Sequence, residues 1–349
     1  MQSVRTAVVG ASGYSGQELL RYLARHPVFR ICLVTSRQNA GQPLSQSVHG
    51  LPRELGALSF VDAAPDFALA EQAELFFLAV PHGTAAPFAV ALREAGKTVV
   101  DLSADFRTTD PGIYKEFYGH DHPAPSLLTE AVYGLPEIHR ERLKTAKLIA
   151  APGCFPTSII VPLAPFLAQP YIERDSIVVT SLTGVSGAGR KLEMRLLFGE
   201  ITDNMYAYGV PKHRHLGEIE QELSLAAKEK VTISFVPHLV PLHRGMLSTI
   251  TARFLRPLAS FPLTDQDLFN VLQEAYGQEP FVEVLAPGQL PEARQVANSN
   301  RIQVAARVDE RTNRLLLFSS LDNLGKGNAS QAIQAANLAF GLEEKLGLA

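Results

Sequence analysis

Cysteine is scarce: only Cys32 and Cys154 occur in 349 residues. Two thiols cannot build a disulfide scaffold, and their scarcity suits a reducing, cytoplasmic setting. Long basic runs are missing too, and the formal net charge is −3. That balance argues against a nucleic-acid or anionic-membrane partner. The opening MQSVRTAVVGASG lacks the longer apolar stretch and small-residue cleavage site of a secretory signal. Charge is absent from Leu148 to Ile172, a stretch long enough to suggest a membrane span. Pro152, Pro156, Pro162, Pro165 and Pro170, with Gly153, interrupt it. So many helix breakers would leave backbone groups unpaired in lipid, so a buried strand, a turn and a short helix are expected instead.

What is present describes a folded protein. Hydrophobic residues make up 46% and charged residues 19%, which excludes disorder. The length exceeds what one core usually supports, so two domains are expected. In the first half, apolar runs at Thr6–Val9, Ile31–Thr35, Leu75–Val80, Thr98–Leu102 and Lys147–Ala150 alternate with helical periodicity, as at Leu19, Leu20, Leu23 and Ala24. Such alternation predicts a parallel sheet with helices on both faces. In the second half, Ser176–Leu182, Val231–Val236, Leu247–Phe254 and Leu315–Ser320 read as strands, and Leu216–Lys228 and Thr264–Tyr276 as helices. Longer connections there predict an α+β domain with a mainly antiparallel sheet. The Ala-rich tail, Gly327–Leu346, reads as a helix that packs back on the first domain. The expected domains are 1–150, joined by 323–349, and 151–322.

Gly10-Ala-Ser-Gly13-Tyr-Ser-Gly16 lies between an apolar strand and a helix. Glycine there permits a tight turn and close approach of backbone to a pyrophosphate, which the helix start attracts. The spacing is GxxGxxG rather than GxGxxG, and the alternative is a glycine-rich turn that only packs helix on strand. Ser12, Tyr14 and Ser15 complete the loop. At the end of the second strand an NAD site usually places an acid for the ribose hydroxyl. Here the chain reads Val34-Thr35-Ser36-Arg37, and no acidic residue occurs between Leu19 and Arg53. Ser36 and the planar fork of Arg37 suit a 2′-phosphate, so NADP is the expected cofactor. Arg37 as an ordinary solvated arginine is the alternative. Pro81 and His82 follow a strand and would border the cofactor or form a structural turn.

Cys154 stands in Pro152-Gly153-Cys154-Phe155-Pro156-Thr157, after a strand and before an apolar helical stretch. A helix start lowers a thiol's pKa, so the residue reads as a nucleophile, with a buried structural cysteine as the alternative. Cys32, inside an apolar run, reads as structural. A cysteine nucleophile needs a proton carrier. His213 and His215 in KHRHLGE precede Leu216, Ile219 and Leu223 at helical spacing, which places both in the first turn of a helix, where the dipole keeps imidazole neutral. Glu218 would hydrogen-bond a ring nitrogen or meet substrate; a solvated polar turn is the bland alternative. A His-x-His metal site, joined by His238 or His243, lacks a supporting cysteine or carboxylate cluster, so no metal is expected.

Taken in order, GASGYSGQEL, DLSADFR, YGLPE, PGCFPT, GVSGAGRK, HRHLGEI, PHLVPLHRG and DNLGKG span nearly the whole chain. The sequence resembles the N-acetyl-gamma-glutamyl-phosphate reductases of arginine biosynthesis. That resemblance implies an N-terminal Rossmann domain and a catalytic domain of the semialdehyde dehydrogenase type. It implies NADPH-dependent reduction of N-acetyl-gamma-glutamyl phosphate to the 5-semialdehyde and phosphate through a Cys154 thioester, with His213 or His215 as acid–base. It implies that Asn323 approaches the nicotinamide, and that the protein assembles as a homodimer or homotetramer through the second domain's sheet. The substrate's carboxylate and phosphate call for cations, and Arg107, Arg190, Arg214 and Arg244 lie in the matching motifs; Ser103 and Ser186 would add hydrogen bonds, Ser103 on the cofactor side. Phe155 stands where Tyr is common, and Asn328 and Ser330 where smaller residues are usual. Rival readings keep the chemistry with a carrier-protein-bound amino-adipyl or glutamyl phosphate, which PGCFPT weighs against, or turn to aspartate-semialdehyde dehydrogenase, which HRHLGEI and GVSGAGR weigh against. A non-catalytic dinucleotide sensor would lack the nucleophile or the base, and neither is missing.

Overall fold

The computed structural model describes residues 3–348, the side chains of Phe67 and Ala68 aside. The chain divides into two compact units, Met1–Gly153 with Asn328–Ala349, and Cys154–Gly327. These junctions fall a few residues beyond the expected 150/151 and 322/323.

The first unit is built on strands β1 (Val4–Val9), β2 (Phe29–Val34), β3 (Leu75–Leu78), β4 (Thr98–Asp101), β5 (Val132–Tyr133) and β6 (Leu148–Ala150). They pair in the order β2-β1-β3-β4-β6-β5, every neighbour parallel. β3 and β4 are buried at every residue, which is why they read as unbroken apolar runs rather than alternations. The strand order reverses between β1 and β3, and the crevice beyond their carboxyl ends is where such sheets take ligands. The Ala-rich helix Ser330–Ala339 packs on the helices Tyr14–Leu23 and Pro136–Leu143. It is fastened by Asn337 Oδ1 to His26 Nε2 at 3.0 Å, and the tail beyond it by Glu344 to the Arg140 guanidinium. The expected helix Gly327–Leu346 is shorter: a π-helical turn, Gly325–Ala329, precedes it and it ends at Ala339.

The second unit carries β7 (Val178–Gly184), β8 (Tyr206–Ala207), β9 (Ser234–Val240), β10 (Met246–Arg253), β11 (Val282–Val284), β12 (Ile302–Asp309) and β13 (Arg314–Leu321). Their order is β11-β12-β13-β10-β7-β9-β8, antiparallel except at β11/β12 and β7/β9. Along β10, Met246, Ser248, Ile250 and Ala252 are buried while Leu247, Thr249 and Thr251 are half-exposed, so one face of the sheet is covered. The cover includes the helix Cys154–Leu167, which lies on β10 and β13 beside the helices Leu216–Ala227 and Asp265–Tyr276. It is buried nearly all round and contains Pro162 and Pro165. At 14 residues it is longer than the short helix expected: flanking elements shield it on its other sides, so its prolines are tolerated by packing.

Candidate active site

The glycine-rich loop leaves β1 with Gly10 at φ +84°. A Cβ there would sit 2.4 Å from the Ala79 carbonyl oxygen, and one at Gly16 would sit 2.6 Å from Ala11 Cα. Both positions therefore exclude any side chain. Gly13, the N-cap of helix Tyr14–Leu23, is different: a Cβ would meet little, and no side chain caps the helix. The first turn's N–H groups are thus left for an anion. Thr35 holds the loop, accepting from Gly10 N at 3.2 Å through its hydroxyl and from Ala11 N at 2.9 Å through its carbonyl. Ser36 Oγ bonds Ser12 Oγ at 3.0 Å. Arg37 is 76% exposed and 4.0 Å from Asp62, an acid that sequence spacing could not place because a bridge, Thr35 to Val61, brings it in.

A second network closes the ends of β3 and β4. Asp105 is fully buried and accepts from Gly83 N at 2.6 Å and Ala86 N at 3.1 Å, capping helix Ala85–Glu94 from outside and pinning the Pro81-His82-Gly83 turn. Ser103 donates to Asp101 Oδ2 and accepts from Asp105 N. Burial, then the neighbouring Asp105, pushes the Asp101 carboxyl up to about 7. Arg107, also buried, donates to the carbonyls of Ala151 and Leu102.

In the second unit Cys154 is the first residue of its helix and half-buried. A Cβ at Gly327 would lie 2.7 Å from Cys154 Cβ, so only glycine fits against the thiol-bearing residue. The neighbouring Phe155 ring gathers the histidines: His213 at 5.5 Å and His215 at 5.9 Å between centroids, both edge-on. His213 Nδ1 accepts from His215 N at 3.2 Å, so in the neutral ring the proton is on Nε2. Burial, then Arg214, lowers the His213 pKa to about 4. His215 Nε2 is 4.0 Å from Glu218 Oε1, and Glu218 is 1% exposed. Tyr208 stacks edge-on with His213 at 5.6 Å; burial, then the Cys154 sulfur, drives its phenol well above the usual range. The histidines are not both in a helical first turn as expected. Ile219 N bonds His215 O, which makes His215 the N-cap, and His213 precedes the helix. Burial rather than the dipole therefore keeps His213 neutral.

Around them, Asn323 ties three loops. Its Oδ1 accepts from Gly245 N at 2.8 Å and its Nδ2 donates to Ser186 Oγ at 2.9 Å. Asp322, fully buried, meets Arg244 Nε at 2.6 Å and accepts from the N–H groups of Asn298, Leu324 and Gly325. Among the described residues no group of three or more His, Cys, Asp or Glu is arranged to hold a metal, and no helix is long and apolar enough to cross a membrane.

Known proteins identify the family. The pattern of the semialdehyde dehydrogenase NAD binding domain matches residues 5–146, and that of the semialdehyde dehydrogenase dimerisation domain matches 154–323. An N-acetyl-gamma-glutamyl-phosphate reductase of Akkermansia muciniphila is 46% identical over 349 residues, covering 100% of this chain and 99% of its own. One of Geobacter sulfurreducens is 44% identical over 346 residues, covering 99% and 98%. The chain belongs to the N-acetyl-gamma-glutamyl-phosphate reductase family. Among solved structures, aspartate semialdehyde dehydrogenase II from Vibrio cholerae complexed with ASA aligns with TM-score 0.71 at 18% identity, covering 98% of this chain and 99% of that one. Aspartate semialdehyde dehydrogenase with NADP from Candida albicans aligns with TM-score 0.70 at 18% identity over 97% and 99%. These two share the fold.

As a reductase of this family the chain is an oxidoreductase that binds a nicotinamide dinucleotide and carries a dimerisation domain. Within the second unit the structure brings Cys154, His213, His215 and Glu218 into one neighbourhood, with Arg214 close enough to act on His213. Ser186, Arg244 and Asn323 form the adjoining network, whereas Arg190 is exposed beyond Gly189. In the first unit Gly10, Ser12, Gly13, Tyr14, Ser15, Gly16 and Ser36 share the loop region. Ser103 and Arg107 are engaged with acids and backbone at the strand ends. Sequence reasoning missed Gly327, Tyr208 and Asp105. Gly327 closes the DNLGKG segment, but its partner is far away in sequence; Tyr208 carries no signal at all.

Proposed function

We propose that this protein reduces N-acetyl-gamma-glutamyl phosphate to N-acetylglutamate 5-semialdehyde, releasing phosphate, with NADPH as reductant. One observation carries the reading most directly: Cys154 opens a buried helix beside two histidines, one of them against a buried carboxylate, in a chain 46% identical along its length to a reductase so named. The cofactor fits the loop on the structure's own terms: Gly10 and Gly16 exclude side chains, and the helix behind Gly13 is uncapped. Gly10, Ser12, Gly13, Tyr14, Ser15 and Gly16 would hold the pyrophosphate, Ser36 and Arg37 the 2′-phosphate, and Pro81, His82 and Ser103 would border the rest. When bound, NADPH supplies hydride to the thioester carbonyl.

The chain's residues do the remainder. Cys154 thiolate attacks the acyl phosphate carbon; the C–O bond to phosphate breaks and inorganic phosphate leaves. His215, 4.0 Å from the buried Glu218 carboxylate, gives its proton to the phosphate oxygen as that group departs; once hydride has been added, the thiohemiacetal oxyanion collapses to the aldehyde and expels Cys154 as thiolate. His213, neutral with Nε2–H, donates to developing negative charge. Arg214 and Arg244, with Ser186, are the proposed anchors for substrate anions, Arg107 and Arg190 joining them as the remaining candidates, and Asn323 is the proposed contact to the nicotinamide side. The proposed assembly is a homodimer through the half-exposed face of the seven-stranded sheet, in the cytoplasm. The test is phosphate-dependent reduction of NADP with N-acetylglutamate 5-semialdehyde compared with aspartate semialdehyde. The reading predicts turnover with the first; comparable or greater turnover with the second would overturn it.

A further inference from the structure

Three serines lie side by side across the middle of the second sheet. Ser181 on β7, Ser248 on β10 and Ser319 on β13 are direct register partners. All three are 0% exposed, as is Ser158 in the helix above them. Buried hydroxyls in an apolar core are costly unless bonded, and all four are bonded, three of them in one chain. Ser158 Oγ donates to Phe155 O at 2.8 Å. A hydroxyl has a single proton, so the 2.8 Å contact between Ser158 and Ser248 must run from Ser248 to Ser158. By the same count the 2.7 Å contact between Ser181 and Ser248 runs from Ser181. The chain is directional, from β7 through β10 to a backbone carbonyl one residue from Cys154.

Ser319 does a separate job on the same helix. Pro162 has no N–H, so the carbonyl four residues earlier, that of Ser158, loses its helical donor. Ser319 Oγ supplies the missing bond at 2.5 Å. The sheet thus replaces the hydrogen bond that proline removes, at the one turn that follows the thiol.

We infer that Ser158, Ser181, Ser248 and Ser319 are positioning residues that seat the first turn of the Cys154 helix on the sheet and so set the placement and reactivity of the thiol. The inference rests on the reading of Cys154 as nucleophile. Ser320 supplies an internal control: it is equally buried and bonds Met246 O at 2.7 Å, strand to strand, without reaching the helix.

The test uses the full-length protein carrying Cys32→Ser, so that Cys154 is the one thiol present. Ser248→Ala, Ser319→Ala and Ser320→Ala are compared for kcat, KM, melting temperature and the pH dependence of Cys154 alkylation by iodoacetamide. Ser248→Ala and Ser319→Ala should lower kcat about ten- to a hundredfold with KM little changed, as small misplacements of a reacting group do. Alkylation at neutral pH should slow about two- to fivefold, with its midpoint moved to higher pH, because the helix start no longer faces the sulfur squarely. Ser320→Ala should lose comparable thermal stability yet leave the alkylation profile in place. Folded Ser248→Ala and Ser319→Ala proteins with wild-type kcat and alkylation profiles would overturn the inference, as would an equal shift in Ser320→Ala. Alkylation needs no turnover, so failure of the nucleophile reading is seen separately, as full activity in Cys154→Ser.

Discussion

His213 is neutral because its ring is buried among Phe155, Phe235 and Tyr208 and faces Arg214. The sign of its contribution to stability follows. Its folded pKa, about 4, lies below the unfolded value of 6.5. The unfolded chain therefore takes the proton first, and the contribution is full above pH 6.5 and lost as pH falls toward 4. The loss amounts to at most about 3 kcal/mol. His26 acts in the same direction: burial lowers its pKa, and its Nδ1 accepts from the Val28 and Phe29 N–H groups, which a protonated ring could not do. Melting temperatures should accordingly fall between pH 7 and pH 5, and His213→Asn should flatten that slope; an unchanged slope would contradict the account. The two histidines separate kinetically as well. His215→Asn should lower kcat about a hundredfold or more and remove a limb of the pH–rate profile, while His213→Asn should keep the limb. Arg37→Ala should cut the preference for NADPH over NADH about tenfold, since its fork is the proposed 2′-phosphate contact; an unaltered preference would move that role elsewhere. At this scale the residues beside a helix start were readable from the sequence: Gly10, Gly16, Cys154, His213 and His215 stand out by type and spacing. Tyr208 and Asp105 were not, because what gives them meaning is a neighbour distant in the chain.

Elements with strong periodicity or unbroken apolar runs lie where the sequence suggests. β3, the helix Leu216–Ala227 and the helix Asp265–Tyr276 are examples, the last fixed by the Thr264–Asp267 capping box. β12 was missed. Its sequence, IQVAARVD, has Ala and Gln at buried positions and weak strand propensity. Tertiary pairing decides it: β13 matches it residue for residue, and buried Gln303 finds Glu283 and Gln295. The π-helical turn Gly325–Ala329 was equally invisible, since nothing in DNLGKG prescribes a wider turn. That turn delivers Gly327 to Cys154. Gly327→Ala should therefore displace either the turn or the thiol, at about 1–3 kcal/mol of overpacking. We expect a folded protein with at least tenfold lower kcat and slower Cys154 alkylation; wild-type kinetics would show that the contact relaxes without consequence. Gly10→Ala faces both a positive φ and a backbone clash, and should abolish dinucleotide binding by fluorescence titration while Cys154 still reacts.

For the whole molecule, the division into two units gives the dinucleotide-binding pattern and the proposed nucleophile a separate frame each. The first unit is a parallel sheet whose ligand crevice follows from strand order alone. The second presents a helix-covered face that places Cys154 and an opposite face that carries half-exposed Leu247, Thr249 and Thr251. That uncovered face fits the matched dimerisation domain, and Thr249→Arg at its centre should weaken self-association at least about tenfold by sedimentation without unfolding the chain; unchanged association would place the contact on another surface. The central claim is that Cys154 carries the acyl group. The most direct measurement omits phosphate: the enzyme is mixed with N-acetylglutamate 5-semialdehyde and NADP, NADPH formation is followed, and the Cys154 peptide is weighed. The account predicts a burst of one NADPH per active chain, an N-acetylglutamyl adduct on Cys154, and its discharge when phosphate is added. A burst with no adduct at Cys154, or steady turnover by Cys154→Ser, would contradict it.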